Sequence, residues 1–373
     1  MSKLETLIQQ LCPDGVEFRP LKECCVLQKG LTPIQKAIPG EYPLVVTATE
    51  RKSSNTFQFT SPSVCVPLIS SRGHGVASIN QLYYQEGKFA LGNILCGITP
   101  LDDSKLSARF LYYYLNHKKD VLIVPLMRGG ANVSLTVDAL ARIKVPIPPL
   151  DVQKEIICIF DIFSDLLNQL VTELTARKKQ YEYYRGKLLT FRKDITVRRL
   201  GETCIMKAGK AIPSSLISEE KTEKTPFKCY GGNGVRGYVE KPNEQGSCPL
   251  IGRQGALCGN VNFAEGDFYA TEHAVVVKTK GKYDSRFLFY LLTQMNLNQY
   301  KSAGAQPGLA VKNILELEAP VPSLDEQHRI VSILDRFDAI CNDLTSGLPA
   351  EIAARQKQYE YYRDKLLTFK PLT

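Results

Sequence analysis

Thirteen residues in the middle of this chain return almost unchanged at its end. KQYEYYRGKLLTF at 179–191 recurs as KQYEYYRDKLLTF at 357–369, with Gly186 against Asp364 the single mismatch. A repeat of that fidelity constrains the fold before any other feature: the chain is built from two related units. The likeness spreads outward. PPLDVQ (148–153) pairs with PSLDEQ (322–327), and GGANVSLTVDALARIKVPIP (129–148) pairs loosely with AGAQPGLAVKNILELEAPVP (303–322). Phe110, Leu111 and Tyr113 echo Phe287, Leu288 and Tyr290, and RPLKECCVLQKG (19–30) echoes RRLGETCIMKAG (198–209). Each unit has a globular part of about 125 residues and a tail of about 45, and only the globular parts have diverged.

The tails carry heptads. Ile156, Phe160, Phe163, Leu167, Leu170, Leu174, Arg177, Tyr181, Tyr184, Leu188 and Phe191 follow a four-three spacing, the seam of a coiled coil. Asp151, just after a proline pair, is expected to cap the first helix. The second tail repeats the seam from Ile330 through Leu334, Phe337 and Cys341 to Tyr359, Tyr362, Leu366 and Phe369. Four extra residues near Ser346–Pro349 are a stutter, and Gly347 and Pro349 predict a kink or break there. A broad apolar stripe would let each helix pack on its own domain. A strict seam in both copies favours the two tails pairing antiparallel, related by a pseudo-twofold axis. A helix of roughly 40 residues is about 60 Å long, enough to act as a ruler.

The globular parts read as mixed α/β. Runs such as YPLVVTAT, SVCVPLIS and HAVVVKTK are separated by Gly-, Asn- and Pro-rich turns, and ARFLYYYLNHKK and SRFLFYLLTQMN look like short helices. No long helix separates successive strands, which excludes a doubly wound parallel sheet. YGGNGVRGY (230–238) contains a literal G-x-G-x-x-G, but its flanks are those of a hairpin rather than of a strand opening a helix. Asn233 and Arg236 sit at its tip. LIGRQGALCGN (250–260) is echoed by LISSRGHGVAS (68–78), so Arg72, His74, Arg253 and Gln254 project from glycine-flanked loops. Arginine matches guanine edges and glutamine adenine edges in a major groove. A solvated surface turn is the plain alternative, against which the recurrence in both units speaks.

Net charge is +9, and the two globular stretches hold most of it: 16 basic against 11 acidic groups in 1–150, and 16 against 13 in 194–320. That excess permits a polyanionic partner. Eleven cysteines and four histidines show no C-x-x-C pair or ligand-like spacing, so the cysteines read as small buried hydrophobes and no metal site is expected. No transmembrane run or signal pattern is visible, which places the chain in the cytoplasm. No Walker loop, Asn/Asp-Pro-Pro-Tyr/Phe segment, G-x-S-x-G or H-E-x-x-H occurs. The chain reads as a binding protein without catalytic residues.

LETLIQQLCPDGVEFRPLKE at the start, the PLDxQ helix starts, the doubled KQYEYYR-KLLTF and YGGNGVRGY closely resemble the specificity (S) subunits of type I restriction–modification systems, over essentially the whole chain. The resemblance implies an α+β fold: two mixed α/β target-recognition domains separated by an antiparallel pair of long heptad helices, a pseudo-twofold internal repeat. The expected segments are a first recognition domain at 1–147, a central helix at 148–194, a second recognition domain at 195–321 and a C-terminal helix at 322–373. Each domain would read half of a bipartite site in double-stranded DNA. The helices would set the spacing and dock two methyltransferase (M) subunits, joined by restriction (R) subunits. S-adenosylmethionine, ATP and Mg²⁺ would belong to those partners and none to this chain. The first loop, SSRGHG, departs from the form of GRQGALCGN, which leaves its contacts open. Tyr183 and Arg185 return as Tyr361 and Arg363 at positions outside the seam, as a copied partner-binding surface would require. A coiled-coil scaffold that binds only proteins and a self-contained enzyme are the competing readings.

Overall fold

The computed structural model describes residues 3–372 apart from 49, 51, 73, 74, 193, 256 and 303–306. It contains two compact units, Met1–Gln169 with Ile352–Thr373, and Leu170–Glu351. Each takes one globular part and stretches of both tails, so the units cut across the linear order of the repeat.

The first globular part holds β1 (Cys25–Lys29), β2 (Tyr42–Val45), β3 (Lys52–Ser54), β4 (Ser63–Pro67), β5 (Tyr83–Gln85), β6 (Ala90–Leu91) and β7 (Leu95–Pro100). They form an antiparallel sheet of order β1-β7-β4-β5 and a smaller mixed sheet of order β3-β2-β6, with β2 parallel to β6. The second part holds β8 (Cys204–Ala208), β9 (Phe227–Gly231), β10 (Gly234–Val239), β11 (Glu244–Gln245), β12 (Cys248–Gly252), β13 (Val261–Ala264), β14 (Asp267–Ala270) and β15 (Ala274–Thr279). Its sheets run β8-β15-β12-β13 and β10-β9-β14-β11, with β9 parallel to β14. Strand for strand, the first sheets are equivalent, and a ribbon closes each part: Phe18–Pro20 with Lys144–Pro146, and Val197–Arg199 with Glu318–Pro320. Because β4 and β12 are buried along their whole length, their sequences run apolar without alternation. Nine of the eleven cysteines are buried, as small hydrophobes are.

The helices that matter are α1 (Ala108–Leu122), α2 (Leu150–Leu188), α3 (Ser285–Gln294), α4 (Leu324–Asn342) and α5 (Leu348–Leu366). In the first unit, Val152, Ile156 and Phe160 at the start of α2 share one core with Leu366 and Leu367 at the end of the second tail. Phe160 and Phe163 pack on Tyr359, and Phe163 on Tyr362. Start meets end, so the helices are antiparallel. In the second unit, Tyr181 near the end of α2 shares a core with Ile330 and Leu334 near the start of α4, and Tyr181 and Tyr184 pack on Phe337. The stutter is a true break: α4 ends at Asn342 and α5 starts at Leu348. Asp343 organises the turn, accepting from the Thr345 amide and hydroxyl and from the Ser346 hydroxyl. Those bonds hold its carboxyl well below the usual carboxylate range.

One correction concerns the cap. The first tail becomes helical at Leu150, so Asp151 lies inside the first turn, where it favours the helix dipole rather than capping it. In the second tail the cap is Ser323, whose side chain accepts from the Glu326 amide.

A buried glutamine ties each tail to its globular part. The Gln153 amide oxygen accepts from the Ser107 amide at 2.8 Å, and its nitrogen donates to the carbonyls of Lys105 and Pro148 at 2.7 Å. Gln327 does the same with Asp284, Lys282 and Pro322. Both side chains are wholly buried. Eight residues further on, an aspartate meets α1 or α3. Asp161 accepts from Arg109 and from the Tyr113 hydroxyl, and Asp335 accepts from Arg286 and the Tyr290 hydroxyl. Arg286 also reaches Asp338 at 3.0 Å.

Replacing Gln153 by Ala leaves a buried amide and two buried carbonyls without their partner. Each orphaned buried group costs about 1–3 kcal/mol. We expect Gln153→Ala to lower the denaturation midpoint of the chain markedly, while a substitution at exposed Lys154 leaves it unchanged. Urea unfolding followed by circular dichroism is the measurement.

Candidate nucleic-acid interface

A cleft of about 960 Å³ in the second unit opens where the two sheets of its globular part meet. One wall is the β9–β10 hairpin, in which Gly231 pairs with Gly234 across Gly232 and Asn233. The G-x-G-x-x-G is thus a hairpin tip that opens no helix, and the tip lines a cleft. Asn233, Arg236, Gln254, His273, Ser302 and Pro307 are among its lining residues. The strand end at Gly252 abuts the hairpin so closely that a Cβ at 252 would overlap the Gly232 carbonyl oxygen, which is why glycine stands there.

Asn233 is exposed, and its oxygen accepts from the Asn260 side chain at 2.9 Å. Arg236 is exposed and donates to the Ser214 hydroxyl at 2.8 Å. Gln254 is exposed, its backbone bridged to Gly308. Arg253 is half-buried; its amide donates to the His273 carbonyl and its carbonyl accepts from the Leu309 amide. The structure therefore brings all four second-unit candidates to one cleft or its immediate wall. In the first unit Arg72 is exposed on a loop in which its amide donates to the Ser70 hydroxyl. His74 lies outside the described residues.

The recurrence that linked the two loops needs correcting. By sequence, Arg253 falls opposite Ser71. Strand register places it opposite Leu68. Leu68 donates to the Ile94 carbonyl and accepts from Leu135, as Arg253 does with His273 and Leu309. The bridge of Gln254 to Gly308 is matched by that of Ile69 to Ser134. The sequence pairing is thus offset by three residues, because a short LI match outscored the hydrogen-bonding frame. Leu68, Ile69, Asn93 and Ile94 occupy in the first unit the places of Arg253, Gln254, Glu272 and His273 in the second.

Sequence reasoning missed Glu272 and His273. Glu272 Oε1 lies 3.2 Å from His273 Nε2. Nothing local marks them; only the strand pairing of Gly252 with Ala274 carries them to the cleft. It missed the Arg109–Asp161 and Arg286–Asp335 ties too, although both aspartates fall eight residues after the repeated glutamine, a signal that was present.

On the helices, Tyr183 and Tyr361 are each more than 60% exposed, with Tyr184 and Tyr362 edge-on to their rings. Arg185 and Arg363 are half-buried and turn back toward their own unit. Arg185 stacks over Tyr181 and donates to the Gln294 side chain, while Arg363 lies over Tyr359. The single mismatch of the repeat falls at this junction. Gly186 lies near Gln294, and its counterpart Asp364 faces His117, which replaces that glutamine in α1. His117 Nε2 is 3.6 Å from Asp364 Oδ1, too long for a hydrogen bond. Burial, with Lys118 and Arg363 nearby, lowers the His117 pKa and outweighs the Asp364 carboxylate, which raises it.

The family model described as type I restriction modification DNA specificity domain matches twice, at residues 13–177 and 192–354. The EcoprrI specificity subunit of Escherichia coli is 46% identical over 226 residues, an alignment spanning 57% of this chain and 56% of that relative. A putative type I restriction enzyme specificity subunit of Haemophilus influenzae is 29% identical over 99% of this chain and 100% of its own length. Among solved structures, the S subunit of a type I restriction–modification system from M. genitalium covers 96% of this chain and 97% of its own, with a TM-score of 0.66 at 20% identity, a likeness of fold.

A histidine whose folded pKa lies below its unfolded value near 6.5 stabilises the folded chain at higher pH. Protons bind the unfolded state more readily, so that contribution is lost as pH falls below about 6.5. We expect the denaturation midpoint to drop between pH 7.5 and 5.5 by more in the wild type than in His117→Gln, which installs the residue of the second unit. Equal drops would assign the pH dependence to other groups.

Proposed function

Because the chain belongs to the type I restriction–modification DNA specificity family, we propose that it is the non-catalytic subunit that gives such a complex its target sequence. On this reading each globular part reads one half of a bipartite site in double-stranded DNA. The tails set the spacing and dock methyltransferase subunits, with restriction subunits joining afterwards. Methyl transfer and ATP-driven cleavage would be the work of those partners, which would hold S-adenosylmethionine, ATP and Mg²⁺. The complex would work in the cytoplasm, where the DNA is; among the described residues no helix is long and apolar enough to cross a membrane.

One observation carries the proposal: two divergent globular parts of equivalent topology joined to two tails that match at twelve of thirteen positions. Divergent surfaces suit two different targets, and a duplicated surface suits one partner bound twice. Exposure supports the second half of that argument, since Tyr183 and Tyr361 are more than 60% exposed and their ring contacts, to Tyr184, Lys187 and Tyr362, lie on their own helices. The cleft supports the first half, with Arg236, Arg253, Gln254 and Asn233 offering the donors and acceptors that base edges take. Arg72, and His74 beside it, would serve the first half-site.

Two outcomes are expected. Arg253→Ala should weaken binding of the assembled complex to its preferred site by about 1–3 kcal/mol, with the loss confined to one half-site. If binding to all sequences falls equally, Arg253 contacts phosphate instead. Tyr183→Ala combined with Tyr361→Ala should leave the chain folded and remove methyltransferase subunits from the complex, read as a loss of assembled mass in native mass spectrometry. Full assembly by the double variant would place the docking surface elsewhere.

A further inference from the structure

Among the described residues, three of the five buried side-chain polar atoms without a hydrogen-bond partner belong to His273, which lines the cleft of the second unit, and to two residues beside the lining: His273 Nδ1, Glu272 Oε2 and Arg253 Nε. Each costs the free chain stability. The fold does not require them, since the equivalent places in the first unit hold Leu68, Asn93 and Ile94 on the same backbone frame.

Glu272 is the informative member. Its side chain is 40% exposed; Oε1 lies 3.2 Å from His273 Nε2, and Oε2 is buried without a donor. A carboxylate beside a site for a polyanion repels the phosphates, so its presence needs a compensating contact. The donors DNA offers a carboxylate in the major groove are the exocyclic amino groups, cytosine N4 and adenine N6, and acidic side chains accept from cytosine N4 in this way. Guanine and thymine present carbonyl oxygens at the same place and would be repelled. The carboxylate would thus discriminate as much by rejection as by attraction.

We infer that Glu272, held by His273, is a specificity-determining residue that selects an amino-bearing base at one position of the half-site read by the second unit. The inference rests on the DNA-reading role proposed above. The same position in the first unit holds Asn93, an amide that donates as well as accepts, so the rejection of carbonyl-bearing bases by a charge belongs to one half-site only.

The test is sequence selection from DNA randomised in both half-sites, using the full chain assembled with its methyltransferase subunits, as wild type, Glu272→Gln and Glu272→Ala. Glutamine keeps the shape and half of the acceptor capacity while adding a donor. At one base pair of the second half-site, the preference for cytosine or adenine over guanine and thymine should fall at least about tenfold in both variants. All other positions, and the first half-site, should keep their profiles. An unchanged profile overturns the inference. So does uniformly tighter binding to every sequence, which would make Glu272 a mere screening charge. A wild-type complex with no sequence preference at all would overturn the DNA-reading role itself.

Discussion

The rest of the structure depends on a primary amide that water never reaches. Gln153 and Gln327 each close a three-way junction between the approach to the domain helix, the proline-rich lead-in and the first turn of the tail. An amide suits this place because it donates and accepts at once, and buried backbone groups must be paired. A carboxylate could not donate, and a shorter side chain could not span the gap. The junction fixes where each tail leaves its domain, and the aspartate two turns later fixes its rotation about its own axis. Without both, a heptad seam would specify that the helices pair but not which face each offers to its globular part.

That division of labour explains what was legible in the sequence. The seam, the repeat and the break at Gly347 and Pro349 follow from local periodicity and backbone chemistry, so reading along the chain finds them. The glutamine was visible as a repeated letter, yet its role was not, since its partners at Lys105 and Lys282 lie more than 40 residues upstream. The helix starts before the expected cap because a leucine after Pro149 already has helical geometry, while an aspartate in the first turn looks much like a cap in sequence.

The candidate site was harder to read for a different reason. Asn233, Arg253 and Gln254 stand on turns whose glycines advertise them, and Arg236 lies on β10 just past the first of those turns. Glu272 and His273 sit at the start of an ordinary apolar strand, and only the pairing of β12 with β15 makes them neighbours of Arg253. The same blindness misaligned the two loops by three residues. Sequence likeness follows side chains, and at a diverging surface the side chains are what has changed. Hydrogen-bond register survives that change, because Leu68 and Arg253 use the same amide and the same carbonyl.

A scaffold of this kind separates the two demands placed on it. The backbone of the cleft wall is bonded to its neighbours whatever side chain it carries, so side chains there can be exchanged at little cost to the fold. Leu68 for Arg253 and Ile94 for His273 are such exchanges, apolar on one side of the duplication and polar on the other. The thirteen-residue repeat in the tails shows no comparable freedom. The one mismatch within it, Gly186 for Asp364, is met by an exchange in the helix opposite, Gln294 for His117. Paired change at a packed junction and free change at a cleft are what the same physics produces under two different constraints: in one place a side chain must satisfy its neighbours within the chain, and in the other the backbone frame is held whichever side chain stands on it.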